Sequence, residues 1–218
     1  MKIIWFDFGG VLSPSIPELF DSYYEKTGIP AQLLHKAMKS VADEMNMDVL
    51  APIEIAAITE QEWGTKLRKH LQTIAPEIDL SKARLEHFGE QWFDGIKPNP
   101  HMIALFHQVR SSGLKAGILT NNVVEWESHW KRVVGITDQA DIIIDSCKIG
   151  FRKPQSEIFV IAAREAGVRP EECLLIDDVE DNCSAANQMG WKSVHFRESA
   201  SVVAQVSDLL LTREGAMI

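Results

Sequence analysis

Five short apolar runs constrain this chain more than any other feature. Residues 3–8, 115–119, 141–144, 173–176 and 192–196 are each rich in Ile, Val or Leu and bounded by Gly, Asp or Asn. Runs of that length without polar alternation suit strands of a parallel sheet covered on both faces. Helical spacing separates the last four. Residues 101–110 repeat apolar side chains at Ile103, Leu105, Phe106 and Val109; residues 155–166 do so at Ile158, Phe159, Ala162 and Ala163, with Pro154 placed to open a helix and Gly167 to close it. Residues 181–189 and 200–211 complete the alternation. Strand and helix in turn predict an α/β fold, a doubly wound parallel-sheet core of Rossmann-like type.

Between the first run and His101 the period changes. Some 80 residues show helical spacing and no convincing strand, at 18–26, 33–45, 60–71 and 81–92. Pro14 and Pro17 punctuate the entry, and Lys97-Pro98-Asn99-Pro100 the exit. The pattern predicts one core domain, residues 1–14 and 96–218, interrupted by an α-helical cap at 15–95. A length of 218 residues and an apolar fraction of 45% supply enough material for such a core.

The net charge is −9, and no basic run offsets it. Such a surface repels nucleic-acid backbones and anionic lipids, so neither nucleic acid nor membrane is expected as a partner. The apolar stretch after Lys2 stops at Asp7, short of the roughly 7 to 15 residues of a signal-peptide core. Cys147, Cys173 and Cys183 are an odd number without paired metal spacing. A cytoplasmic protein, monomer or homodimer, is the expectation.

In open α/β sheets ligands bind beyond the carboxyl ends of the strands, so polar residues just after each apolar run are the candidates. They are Asp7 after the first, Thr120-Asn121-Asn122 after the second, Asp177-Asp178 after the fourth with Asn182 beyond, and Lys153 in the loop entering the helix after the third. Each has a structural explanation on its own: a turn cap, a helix cap or a solvated lysine. Together at one sheet edge they suit phosphate-ester chemistry with a divalent cation. Asp7 and Asp178 are hard oxygen ligands for Mg²⁺, which takes one or two protein carboxylates plus substrate phosphate. Asp7 can also attack phosphorus. Lys153 would offset the negative charge and contact a phosphoryl oxygen, and Thr120 and the Asn121 backbone amide would donate hydrogen bonds to it. Asp177 and Asn182 would orient these groups. Trp126 and Trp130 after the Thr120 turn are expected to pack rather than contact ligand. Met38, Met45, Met47, Trp63 and Trp92 in the insert are available to line a substrate pocket but are expected to pack between cap and core.

At these residues the chain resembles the haloacid dehalogenase superfamily. The four motifs are Ile3-Ile4-Trp5-Phe6-Asp7-Phe8-Gly9-Gly10-Val11-Leu12, Leu119-Thr120-Asn121, Arg152-Lys153-Pro154, and Ile176-Asp177-Asp178 through Asn182, in the family's order and spacing. The resemblance spans the chain, the helical insert is similar to the family's small cap, and the nearest likeness is to sugar-phosphate phosphatases of the glucose 1-phosphate type. It implies a HAD-like Mg²⁺-dependent phosphatase acting on a small phosphorylated metabolite, with Asp7 as nucleophile and Mg²⁺ held by Asp7, the Gly9 carbonyl and Asp178.

One position departs from the pattern. Phosphatases of the superfamily typically carry a second aspartate two residues after the nucleophile, as acid to the leaving group; here Gly9 occupies it. Acid-base help of this kind is worth about 10² to 10⁴ in rate. Two other readings therefore stand beside the phosphatase: a non-catalytic or weakly active protein that binds a phosphorylated ligand or a partner protein, and a haloacid dehalogenase. The second places Asp177-Asp178 beside Asp7 with no cation to relieve their repulsion. A phosphonate-cleaving activity would need a cap lysine, for which Lys26, Lys36 and Lys39 are available.

Overall fold

The computed structural model describes residues 1–215. The chain opens with β1 (Ile3–Phe6), passes a loose turn at Phe8–Leu12, and enters five helices: α1 (Ile16–Thr27), α2 (Ala31–Glu44), α3 (Ala51–Glu54), α4 (Glu60–Ile74) and α5 (Phe88–Trp92). It continues through α6 (Pro100–Ser111), β2 (Lys115–Thr120), α7 (Glu127–Val134), β3 (Ile142–Asp145), α8 (Ser146–Ile149), α9 (Ser156–Ala166), β4 (Cys173–Asp177), α10 (Glu180–Gln188), β5 (Lys192–His195) and α11 (Ser199–Gly215). Every strand pair is parallel, in the order β3-β2-β1-β4-β5. This is the α/β, doubly wound Rossmann-like fold that the five apolar runs predict.

Strand alternation divides the core. Ile4 and Phe6 of β1, Ala116 and Ile118 of β2, and Leu174 and Ile176 of β4 face α6, α11 and the inserted helices. Ile3, Trp5, Leu119 and Leu175 face the other way, against Phe159 of α9 and Ala186 of α10, with Trp191 nearby. Both faces are covered, so β1 is buried along its whole length. Strands leave β1 to β2 on one side and to β4 on the other, which makes the β1/β4 edge the point where a ligand crevice forms.

The inserted helices have clear local causes. Ser15 and Thr59 each open one with a reciprocal capping box, closed by Glu18 and Glu62. Gly64 lets α4 lie against the turn at Leu85–His87, since a Cβ there would fall 2.1 Å from the Leu85 carbonyl oxygen. The helical spacing at 81–92 yields only that turn and α5. The Gln91 side chain accepts from the Arg84 amide at 3.0 Å and donates to the Lys82 carbonyl at 2.8 Å, taking backbone partners that a helix would need.

Side-chain contacts tie these helices to the sheet domain. Arg152, in the loop before α9, pairs with Glu54 at 2.6 Å and Asp48 at 3.1 Å. Ser146 donates to the Glu54 carbonyl at 2.6 Å, and the Trp126 indole donates to Glu60 at 2.6 Å. Among the described residues no helix is long and apolar enough to cross a membrane.

Candidate active site

The register of the sheet puts the candidate residues side by side. Phe6 is level with Ile118 of β2 and Ile176 of β4, so Asp7 comes level with Leu119 and Asp177. The Asp7 amide donates to the Ile176 carbonyl at 2.9 Å, carrying the ladder one step beyond the strand. Asp7 then caps the turn that follows, its Oδ1 accepting from the Phe8 amide at 2.7 Å. The capping role that sequence alone allowed is present, and the same oxygen lies 2.9 Å from Lys153 Nζ.

Lys153 is 1% exposed. Its ammonium meets Asp7 Oδ1 at 2.9 Å, Asp177 Oδ2 at 2.6 Å and the Leu119 carbonyl at 2.9 Å, which uses all three donors. Burial works against the charge, but Asp177 and Asp7 outweigh it and hold the ammonium above the usual lysine range. The reach of this lysine is set by Asn121. Its Oδ1 accepts from the Lys153 amide at 2.8 Å and its Nδ2 donates to the Lys153 carbonyl at 2.9 Å, clamping the loop to the end of β2. With the Asn121 side chain so engaged, any contact from this residue to a phosphoryl group falls to its backbone amide.

Asp177 is fully buried and held on both oxygens: Oδ2 faces Lys153, and Oδ1 accepts from the Val179 amide and from Asn182 Nδ2, each at 2.9 Å. Asn182 thus fixes one oxygen of Asp177. Asp178 points forward, next to Gly10. Gly10 has φ +72°, and a Cβ there would sit 2.2 Å from Asp178 Oδ2, so only glycine permits this approach. Thr120 closes β2, buried, with only a long 3.4 Å contact from its hydroxyl to the Asn121 carbonyl.

One carboxylate oxygen from each of Asp7, Asp177 and Asp178 lies within 4.8 Å of the others. A single ammonium faces this triad. Burial, opposed by Lys153 but reinforced by Asp177 and Asp178, raises Asp7 well above the usual carboxylate range. Burial and the neighbouring Asp177 push Asp178 up to about 6. The cluster is thus short of positive charge in the way that an all-oxygen site for a hard divalent cation is, and its donor set fits Mg²⁺.

Gly9 lies in the same turn at φ −64° and ψ 127°, a conformation open to any L-residue. The nearest atom to a Cβ there is Ile16 Cδ1 at 3.7 Å. The backbone does not demand glycine at this position.

Two residues near the site escape the motif-based reading. Asp145 ends β3 beside Thr120, and its Oδ2 is buried with no partner. Burial pushes its carboxyl up to about 6. The signal was there, an Asp closing the third apolar run. Glu54 has no such signal, because it comes from α3, a helix of one turn.

A family model described as haloacid dehalogenase-like hydrolase matches residues 1–190. The chain is 29% identical over 146 residues to the glyceraldehyde 3-phosphate phosphatase of Methanopyrus kandleri, covering 63% of this chain and 62% of that protein. It is 26% identical over 196 residues to phosphatase MT3486 of Mycobacterium tuberculosis, covering 87% and 86%. A haloacid dehalogenase family enzyme of Bacteroides thetaiotaomicron, solved with magnesium and inorganic phosphate, shares the fold at a TM-score of 0.61 and 19% identity over 90% of this chain and 94% of its own. The L-2-haloacid dehalogenase of Xanthobacter autotrophicus shares it at 0.62 and 18% over 95% and 83%.

Proposed function

The chain belongs to the haloacid dehalogenase-like hydrolases, and from that premise we propose that it is an Mg²⁺-dependent phosphatase of a small phosphomonoester, such as a sugar phosphate, acting through an aspartyl-phosphate on Asp7. The observation that carries this reading is the triad of buried Asp7 and Asp177 with half-buried Asp178 beside one fully engaged lysine. The named phosphatase relatives support it. We assign residues 1–14 and 96–218 to a core and 15–95 to a cap that closes over the sheet edge, in a cytoplasmic protein whose three cysteines are free.

Lys153 holds Asp7 Oδ1, leaving Oδ2 to attack phosphorus. The bond from phosphorus to the ester oxygen breaks as the bond to Oδ2 forms. Thr120 Oγ1 and the Asn121 amide donate to the phosphoryl oxygens, and Lys153 offsets their charge. Bound by Asp7, the Gly9 carbonyl and Asp178, Mg²⁺ would neutralise phosphoryl charge. Asp177, fixed by Val179 and Asn182, keeps Lys153 in place. Water then cleaves the acyl-phosphate and restores Asp7. The departing oxygen takes its proton from solvent, since Gly9 supplies none, so substrates with acidic leaving groups should turn over fastest.

Phosphate release from p-nitrophenyl phosphate and a sugar-phosphate panel, with Mg²⁺ and with EDTA, tests this. Turnover that needs Mg²⁺ and disappears in Asp7→Asn is expected. Gly9 favours the second reading, a site that binds a phosphorylated ligand without turning it over. That reading predicts no release by the native chain and release by Gly9→Asp. Halide release from 2-chloropropionate in EDTA would instead make the chain a dehalogenase.

A further inference from the structure

A cavity of about 130 Å³ opens between the inserted helices and the candidate site. Gly9 and Asn121 reach it from the catalytic loops, Phe20, Met38 and Trp92 line it from the helices, and Leu50 from the turn before α3. We propose that this cavity receives the leaving group and that it selects a compact apolar alcohol or phenol, roughly a butyl chain or one aromatic ring, over a polyhydroxylated sugar, which narrows the phosphomonoester proposed above and sets aside its sugar-phosphate example. The proposal rests on the reading of the site as one that takes phosphomonoesters.

Three observations carry it. Gly9 and Asn121, which flank the nucleophile and Thr120 in sequence, both line the cavity, so it adjoins the place where a phosphate on Asp7 would carry its ester group. The absence of a side chain at Gly9 leaves its share of the wall open, since a Cβ there would lie against Ile16, which also lines the cavity, and any longer side chain would occupy cavity space. The substitution that removes the usual acid thereby also makes room for an apolar group. Finally, several of the polar side chains in the wall, all but the Asn122 amide nitrogen among those named next, already have partners. The Asn121 side chain holds the Lys153 backbone, Asn122 Oδ1 accepts from the Val123 amide, Glu54 pairs with Arg152, and the Trp126 indole donates to Glu60. Sugar hydroxyls buried here would go largely unpaired, at about tenfold or more in affinity each. An apolar cavity of about 150 Å³ accommodates benzene, and each methylene removed from water strengthens binding about fourfold.

The test uses a matched pair of non-hydrolysable probes, n-butylphosphonate and 3,4-dihydroxybutylphosphonate, which differ only in two hydroxyls. Binding to the full chain with Mg²⁺ is followed by calorimetry and by the fluorescence of Trp92 and Trp126, both in the cavity wall. The butyl compound should bind at least tenfold more tightly, and Leu50→Asn should cut the difference to below threefold. Equal affinities, a preference for the diol, or no binding of either probe would overturn the inference. Turnover of p-nitrophenyl phosphate by the same preparation reports separately on the phosphatase. Turnover with no butyl preference would overturn only the leaving-group assignment; a butyl preference without turnover would uphold the cavity's apolar selectivity and overturn both the enzyme and the leaving-group role.

Discussion

Lys153 is buried to the limit and touches three oxygens, two of them on carboxylates. Replacing it by Met leaves Asp7 and Asp177 buried without their counter-charge, and breaking a buried pair in this way costs about 3 to 5 kcal/mol. Chemical denaturation of Lys153→Met should show a loss of that size, and added Mg²⁺ should recover part of it by supplying the missing charge. Gly9→Asp, by contrast, has an ordinary backbone and a Cβ with 3.7 Å of clearance. It should fold with a near-native Tm and raise kcat by about 10² or more for esters with poor leaving groups, with a smaller gain for p-nitrophenyl phosphate. Asp145 belongs to the same scale. Its folded carboxyl titrates at about 6 against an ordinary 3.8, so the folded state holds the proton more tightly than the unfolded one. Its contribution to stability is complete below about 4 and is lost as pH rises to about 6, on the order of 1 to 3 kcal/mol. Asp145→Asn should remove that slope from a plot of unfolding free energy against pH; an unchanged slope would refute the assignment.

Among the elements, α4 makes the sharpest prediction. Its close approach to the Leu85 turn leaves no space for a methyl group, and the obstructing atom is backbone. Gly64→Ala should therefore destabilise by about 1 to 3 kcal/mol, despite the better helix propensity of alanine. How far the elements could be read from sequence divides along physical lines. All five strands are where the apolar runs place them, because a buried parallel strand declares itself by composition. The polar residues closing β1, β2 and β4 are legible for the same reason, and Asp7, Thr120 and Asp177 follow directly. Residues 81–92 mislead, because their apolar spacing is real but Gln91 claims the backbone partners a helix requires. The Asn121 clamp on Lys153, the Arg152–Glu54 pair and the cavity wall join positions far apart in the chain. Such contacts leave no period to detect.

Across the molecule, the inserted helices and the sheet domain are joined by few directed contacts, and Arg152 makes two of them. Burial raises the Glu54 carboxyl, opposed by Arg152, so this carboxylate depends on its partner to stay charged. Arg152→Ala should lower stability by about 1 to 3 kcal/mol, and adding Glu54→Gln should restore most of it, since no charge is then left buried. Thermal melts of the single and double variants check this. The position of β1 has a consequence of another kind. It pairs with Lys115 to Ile118 on one side and Cys173 to Ile176 on the other, so the strand made first is completed by one of the last. At ordinary rates of synthesis the segment from Lys115 to Cys173 takes roughly three to twelve seconds to make. For that interval Ile3-Ile4-Trp5-Phe6 has one flank without a mate, a natural client for a chaperone. An unfinished chain carries Asp7 but neither Asp177 nor Asp178, so the acidic cluster comes into being only as the last strands dock.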